Sequence, residues 1–300
     1  SGIKLGTNNV HFVDKDVTNI FEMPTPKKHN NISTIKEAFE SLAPFEDLYF
    51  CKGNYIIDSF FEQDGEPSYV IRMPYGSLNR HKIICEGSIM TKSSLTGDGV
   101  GDIVGGAIFR ISNSCYSSLD SNKNYSIITC GGNSGTYRQY PVNGLSVHGI
   151  GFVLPDNTKK IICVDGRLAS YINVSMMMAT CSIDQSNLKV GSTDCIAIRC
   201  TQGSNMGVNN KISHSFVWGF YEGYALGGEH LICEDIGARF CNYGFTFNNY
   251  DMADDTLVHP ITLINCCDEC NFNLPYFGKN KGQSVTMIDF NTEWKNQYRE

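Results

Sequence analysis

A short strand-like pattern recurs through the second half of the chain, from residue 144 to residue 294. Each copy closes on a three-residue unit with a polar residue at its centre. These polar centres are His148, Asn173, Ser213, Asp235, Asn265 and Asp289. They are separated by 25, 40, 22, 30 and 24 residues, which indicates a period near 24 with two insertions. Periods of this length are typical of stacked supersecondary units rather than of one closed core.

A second strand-like run precedes most of these units, at residues 161–163, 195–198, 223–226 and 243–247. The runs are short, alternating or apolar, and separated by Gly, Asn and Asp, so they favour β-strands over helices. We therefore predict an all-β fold. Its architecture would be a right-handed parallel β-helix, a solenoid in which each coil is about one period long.

One helix is predicted ahead of the strands, at residues 34–43. Thr34 is the expected N-cap, with Glu37 completing a capping box. The apolar stripe comprises Ile35, Ala38, Phe39 and Leu42. The first coil of a solenoid leaves strand edges and core uncovered, and this helix is placed to cap them. We predict an arm or linker at residues 1–30 and a β-helix domain at residues 31–300.

Composition restricts the partners. The formal net charge is −7 without a cluster of Lys or Arg, which argues against nucleic acid and is unfavourable for a polyanionic ligand. No apolar run reaches the length of a membrane span. The Gly-rich run at 97–101 lacks the spacing of a dinucleotide site and is predicted to be a turn, so no cofactor is expected.

The chain has thirteen cysteines, most of them inside apolar runs. Such cysteines behave as small hydrophobic residues, so we expect reduced core thiols rather than a disulfide framework. Cys267 and Cys270 have a C-x-x-C spacing, but no second pair of ligands completes a zinc site, and no metal is predicted.

Several segments resemble a known superfamily: LYFCKGNYII at 48–57, KIICEG at 82–87, LTGDG at 95–99, GLSVHGIGF at 144–152 and ITLINC at 261–266. Together with the preceding helix they resemble the pectate-lyase-like single-stranded right-handed β-helices, and bacteriophage tailspike proteins most of all. The resemblance covers residues 32–294. It implies a homotrimeric protein, on a virion tail or extracellular, that recognises a bacterial surface polysaccharide. No catalytic residue of that superfamily carries over, because its hydrolase and lyase patterns are not present in order.

The polar centres are expected to stack in one column about 4.8 Å apart, hydrogen-bonding as a ladder. Asp235 and Asp289 would then be turn residues rather than catalytic ones. Residues 111–143, rich in Ser, Asn, Gly and Tyr, are predicted to be a long excursion from the coil, and such insertions often carry the binding face.

The candidate site lies in the loops that join the first strand of a coil to the second, at residues 164–170, 201–210, 227–230 and 248–260, because these loops project together from one side. Carboxylates, an Arg, a His and a Tyr converge there, a composition typical of a sugar-binding groove. The predicted catalytic residues are Glu229, Asp254 and Asp255. The predicted substrate-binding residues are Asp165, Arg167, Tyr250, Asp251 and His259. Carboxylates on adjacent coils would have roughly the 5 Å spacing of retaining glycosidases, and those two coils apart the wider inverting spacing.

Three functions remain open on the sequence. The first is a tailspike-like protein that binds and hydrolyses a capsule or O-antigen polysaccharide. The second is a non-catalytic β-helix adhesin or structural spike that uses the same groove for binding. The third is a secreted polysaccharide lyase, which would depend on calcium and release an unsaturated product.

Overall fold

The computed structural model describes residues 10–13, 32–40, 42, 46–62, 67–73, 80–85, 87, 89–92, 102–130, 144–167, 169–181, 194–200, 208–247, 260–278 and 284–293. Two helices, α1 (Ile32–Glu40) and α2 (Asn113–Ser118), accompany 24 strands in these residues. The first twelve strands are β1 (Val10–Val13), β2 (Asp47–Phe50), β3 (Gly53–Ile57), β4 (Ser68–Arg72), β5 (His81–Ile84), β6 (Met90–Lys92), β7 (Asp102–Val104), β8 (Ala107–Ile111), β9 (Tyr125–Thr129), β10 (Leu145–His148), β11 (Ile150–Leu154) and β12 (Ile161–Asp165). The others are β13 (Asn173–Ser175), β14 (Met178–Cys181), β15 (Ile196–Cys200), β16 (Lys211–Trp218), β17 (Glu222–Leu226), β18 (Leu231–Arg239), β19 (Tyr243–Phe247), β20 (Ile261–Ile264), β21 (Cys267–Glu269), β22 (Tyr276–Phe277), β23 (Val285–Ile288) and β24 (Asn291–Glu293).

The strands pair in parallel in two large sheets, of fifteen and seven strands. The short pair β6–β7 is antiparallel. The fifteen-stranded sheet contains two stacks, which we call the first and the second. The first stack runs β1, β2, β5, β10, β13, β16, β18, β20, β23, and the second runs β3, β8, β11, β14, β16, β18, β21, β24. The seven-stranded sheet is the third stack, β4, β9, β12, β15, β17, β19, β22.

From β10 onward the chain visits the three stacks in a fixed order, first, second, third, and then returns to the first. The long strands β16 and β18 cross from the first stack to the second without interruption. The chain is thus all-β with parallel sheets, as predicted, and this order of strands is compatible with a β-helix-like solenoid. The strand-like runs predicted at 161–163, 195–198, 223–226 and 243–247 are all confirmed as third-stack strands.

Buried residues of like kind line up from strand to strand. One such row in the first stack contains Leu48, Ile83, Val147, Val174, Ile212, Cys233 and Leu263, each without exposed surface. Cys233 takes the place of a Val, Ile or Leu in this row, which is the predicted role of the cysteines. All thirteen cysteines are free and eleven of them are buried.

Helix α1 packs on this core through the predicted stripe, since Ile35, Ala38 and Phe39 are almost fully buried. It spans Ile32–Glu40, so it begins two residues before the predicted 34–43 and ends three residues earlier. Thr34 therefore lies inside the helix, and its predicted role as N-cap is wrong. The apolar stripe predicts which face of the helix is buried, but it does not determine the residue at which the helix begins.

The prediction for residues 111–143 is partly wrong. Residues 113–118 form α2, and Tyr125–Thr129 form β9, which pairs with β4 and β12 inside the third stack. Ser and Asn residues on both sides of this strand led to the prediction of a loop. Its residues Ile127 and Ile128 are nevertheless apolar and fully buried. Residues 131–143, and the predicted turn at 97–101, lie outside the described residues.

The bend between the first and second stacks, which we call the first bend, is formed by single residues in the left-handed backbone region. His214, Asp235, Asn265 and Asp289 occupy successive copies of it, with φ between 49° and 53°. Asn, Asp and His tolerate this conformation better than other side chains that have a Cβ. Asn265 Nδ2 donates to Asp235 Oδ1 at 2.6 Å, and His214 Nε2 lies 3.2 Å from Asp235 Oδ2.

The predicted column of polar centres is correct for Asp235, Asn265 and Asp289 and wrong for the other three. Ser213 lies one residue before the bend, where its strand partners are Ser175 and Glu234. His148 belongs to that same row and contacts Ser175 Oγ through Nδ1 at 2.8 Å. Asn173 lies in another row, beside Ser146 and Lys211. A polar residue within a strand and a polar residue at a bend look alike in sequence, and only the register separates them.

Candidate functional site

The return from the third stack to the first, which we call the third bend, also uses left-handed residues. Tyr171, Asn209 and His230 have φ of 58°, 55° and 58°. The amide of Tyr171 donates to Val208 O at 2.9 Å, and the amide of Asn209 donates to Glu229 O at 2.8 Å. These hydrogen bonds stack the three bends on one another, so their exposed side chains form one continuous strip.

An open depression of about 560 Å³ lies at this strip. Its lining residues are Val208, Asn209, Glu229, His230, Leu231, Ile232, Pro260 and Thr262. Glu229, one of the predicted catalytic residues, is half-buried there, and His230 and Asn209 are exposed beside it. The carboxylate, imidazole and amide can hydrogen-bond the hydroxyls of a sugar. The neighbouring apolar side chains can pack on a face of its ring.

Tyr171 extends the strip beyond the depression. Its ring is half exposed and lies under the guanidinium of Arg80, with 5.9 Å between Arg80 Cζ and the ring centroid. Exposed aromatic rings provide large rigid contact area at low entropic cost, so they are common in binding surfaces. The strip therefore combines an aromatic face with the polar groups of the depression.

Buried polar groups hold the third bend in place. Asn210 is almost fully buried, and its side chain accepts from the amide of Ile172 at 2.9 Å and donates to Ala169 O at 3.1 Å. Ser170 Oγ accepts from the amide of Val208 at 3.1 Å. Each bond joins one bend to the next, so the exposed residues are presented from a braced backbone.

Asp165 and Arg167, both predicted to bind substrate, lie beneath this bend rather than on it. Asp165 has no exposed surface, and its Oδ2 lies 2.9 Å from Arg167 Nη2 and 3.0 Å from Arg199 Nη2. Burial by itself raises the pKa of the Asp165 carboxyl, but the two guanidiniums outweigh burial and hold that pKa below its usual range. Their contacts in the described residues are internal, and their predicted role in substrate binding stays a prediction.

A second buried carboxyl has the opposite environment. Asp268 occupies a core position in the second stack, in register with Ala238, and accepts from Asn271 Nδ2 at 2.5 Å. Burial raises the pKa of Asp268 to about 7, against a smaller lowering by the Asn271 hydrogen bond. Asp268 is buried and is not among the residues that line the depression.

The other predicted site residues, Asp254, Asp255, Tyr250, Asp251 and His259, lie outside the described residues. Their roles stay predictions. Conversely, Asn209 and His230 lie within the predicted loops, but neither they nor Tyr171 were singled out as site residues. A signal for them exists: each stands within two residues of a first-stack strand, and Asn and His are frequent in the left-handed region.

Among the described residues, no group of His, Cys, Asp and Glu has the geometry to hold a metal ion. Neither helix in that part of the chain has the length and hydrophobicity that a bilayer span requires. Comparison of the sequence with protein-family models, with curated proteins and with solved structures found no match. The site must therefore be interpreted from its own geometry.

Proposed function

We propose that this chain is a right-handed parallel β-helix that binds a bacterial surface polysaccharide along the third bend and hydrolyses it, as bacteriophage tailspike-like proteins do. The observation that carries the proposal is the open depression in which Glu229 lies beside His230 and Asn209. A linear glycan requires a long surface with repeated polar contacts, and the strip from Tyr171 to His230 supplies one across three successive bends.

In this proposal Glu229 acts as the acid, base or nucleophile, and Asp254 or Asp255 supplies the second carboxylate. Glycoside hydrolysis requires two carboxyl groups, about 5–5.5 Å apart for retention of configuration and about 6.5–9.5 Å apart for inversion. Residues 248–259 follow β19 and lead to Pro260, which lines the depression. The chain connectivity therefore supports Asp254 and Asp255 as partners of Glu229.

The test is release of reducing ends from purified capsule or O-antigen polysaccharide. Glu229→Gln keeps the size of the side chain and removes its charge, and it is expected to lower the rate by about 10² to 10⁴. Glu293→Gln, at an exposed carboxylate on β24, is the matched control and should leave the rate unchanged. Equal rates in the wild-type protein and the Glu229→Gln variant would remove Glu229 from the chemistry. Products that absorb in the ultraviolet would indicate a lyase.

A second candidate is a non-catalytic adhesin or spike that uses the same strip. One observation favours it: Glu229 is the one carboxylate that lines the depression within the described residues. Binding without hydrolysis would leave the viscosity of a polysaccharide solution unchanged while the glycan is still retained on the immobilised protein. Loss of viscosity would exclude the purely binding function.

We also propose a homotrimer, located on a virion tail or outside the cell. Support comes from the end formed by β22, β23 and β24, where the large apolar side chains of Tyr276, Phe277 and Ile288 are exposed. Exposed apolar groups clustered on terminal strands are a feature of association surfaces. Mass measurement in solution tests the trimer, and a stable monomer would contradict it.

A further inference from the structure

Helix α1 packs on a buried histidine, His81, at the start of β5. His81 is 1% exposed, and its ring lies edge-on to Phe39 of α1 with 5.7 Å between the two ring centroids. Nδ1 of His81 lies 2.7 Å from the backbone oxygen of Glu46. Because a carbonyl oxygen can only accept a hydrogen bond, Nδ1 carries a proton, and in the neutral ring Nε2 carries the lone pair.

The second ring nitrogen of His81 is buried without a hydrogen-bond partner. Within the described part of the chain, no donor or acceptor reaches Nε2. The charged residues beside His81 and on the elements that pack against it are Lys36, Glu37, Glu40, Glu46, Asp47, Arg80 and Lys82. Asp47 Oδ1 already accepts from the amide of Lys82 at 3.1 Å, and Lys36 Nζ pairs with Glu40 Oε2 at 2.6 Å. A second proton on His81 would therefore bring a charge and an N–H without an acceptor into a buried site, which is unfavourable.

Of the two elements that meet at His81, α1 is the one that can move. Strand β5 is paired in parallel with β2 on one side and β10 on the other, and the amide of His81 donates to Gly144 O at 3.2 Å. Helix α1 docks through the side chains of its apolar stripe, and Tyr69 Oη donates to Glu40 Oε1 at 3.4 Å. Undocking of α1 would bring water to Nε2 and leave the pairing of β5 intact.

We propose that protonation of His81 releases α1 from the strands that it covers, so that this part of the core is closed at neutral pH and open in mild acid. The released helix would expose its stripe of Ile35, Ala38 and Phe39, all of which are almost fully buried when it is docked. The same movement would uncover the ends of β2 and β5.

The direction of the pH effect follows from the environment of His81. Burial lowers the pKa of His81 below its ordinary value of 6.5, against smaller raising effects of the Glu46 carbonyl and of the carboxylates of Asp47 and Glu46. The docked state is therefore fully favoured above pH 6.5, and this preference is progressively lost as pH falls below 6.5. Asp268 has the opposite sign, because its contribution is present in acid and is lost as pH rises. A loss of protection in acid thus cannot come from Asp268.

Amide hydrogen exchange of the full chain between about pH 7.5 and pH 5 measures the release. After correction for the intrinsic exchange rates, protection at residues 35–40 should fall below pH 6.5 by up to about tenfold per pH unit. Protection in β16, at residues 211–218, should stay constant over the same range. Constant protection in α1 would overturn the proposal. Parallel losses in α1 and β16 would indicate global unfolding and would overturn it as well.

Two variants assign the effect to His81. His81→Asn keeps a donor for the Glu46 oxygen but cannot titrate, so the protection of α1 should no longer depend on pH. His214→Asn is the matched control at an exposed histidine beside Asp235, and it should keep the pH dependence of the wild-type protein. Persistent pH dependence in His81→Asn would assign the release to other groups and overturn the proposal.

A measurement on the wild-type protein covers the case in which His81→Asn does not fold. Nuclear magnetic resonance of the imidazole nitrogens follows the protonation of His81 directly. Protonation should coincide with the loss of protection in α1. Protonation of His81 while α1 stays protected, or release of α1 while His81 stays neutral, would contradict the proposal.

Discussion

The first and third bends perform the same geometric task with different residues. At the first bend a single left-handed residue turns the chain in successive copies, and strands β16 and β18 pass through it unbroken. At the third bend the connecting segments differ in length, from the short 227–230 to the long 248–260. A constant turn fixes register, whereas a variable turn can carry loops without disturbing it. The depression lies at the third bend, where the connecting segments vary in length.

The largest expected effect comes from breaking the support beneath the third bend. Asp165→Ala removes the carboxylate that pairs with the buried guanidiniums of Arg167 and Arg199, which should lower the free energy of unfolding by about 3–5 kcal/mol. Urea denaturation measures this loss. Glu62→Gln, at the exposed pair with Lys123, should change stability by less than about 1 kcal/mol. Similar losses in both variants would mean that the third bend does not depend on this ion cluster.

A second test contrasts Asp165 with Asp268, which is buried beside an amide instead of two guanidiniums. The folded pKa of Asp268 is about 7, above the ordinary value of 3.8, so its contribution to stability is fully present below pH 4 and is lost as pH rises through 7. At about 1.4 kcal/mol per pH unit the loss reaches about 4 kcal/mol. Asp268→Asn should flatten the stability profile between pH 4 and 7. A profile equally steep in that variant would assign the pH dependence to other groups.

An intermediate effect is expected from Asn210→Ala. The substitution removes the two side-chain hydrogen bonds that Asn210 makes to the preceding third bend and leaves the buried amide of Ile172 without its acceptor, which should cost about 1–3 kcal/mol. Glycan affinity should also fall, because Asn209 and the depression lose part of their backbone support. Thermal unfolding and calorimetric titration of the same sample measure the two effects. A stability loss without any change in affinity would separate the bend from the binding site.

The smallest effect is expected at the first bend. Asn265→Ala places a less tolerant residue in the left-handed region and removes the hydrogen bond to Asp235, which should cost about 1–2 kcal/mol. Asn265→Gly removes the same side chain but accepts the conformation, so it should be closer to wild type. Neither variant should alter glycan binding. If both Asn265 variants changed the affinity for the glycan, the ligand would lie at the first bend and not at the third.

Sequence periodicity was sufficient to predict the all-β class, the parallel strands and the buried face of α1, because alternation and the stripe of Ile35, Ala38 and Phe39 report burial directly. It could not resolve the column of polar centres, since Ser213 and His214 differ by one residue and only strand pairing assigns the bend. It also could not foresee the burial of Asp165. The charge of Asp165 is balanced by Arg199, a partner 34 residues away that the register of β12 and β15 brings beside it.

The most direct test of the account is amide hydrogen exchange, resolved to single residues, in the presence and absence of the polysaccharide that binds best. Slower exchange is predicted at 208–210, 229–232 and 261–262, with no change at 213–215, 234–236 and 264–266. Protection at the first bend without protection at the third would contradict the location of the site, and with it the proposed role of Glu229.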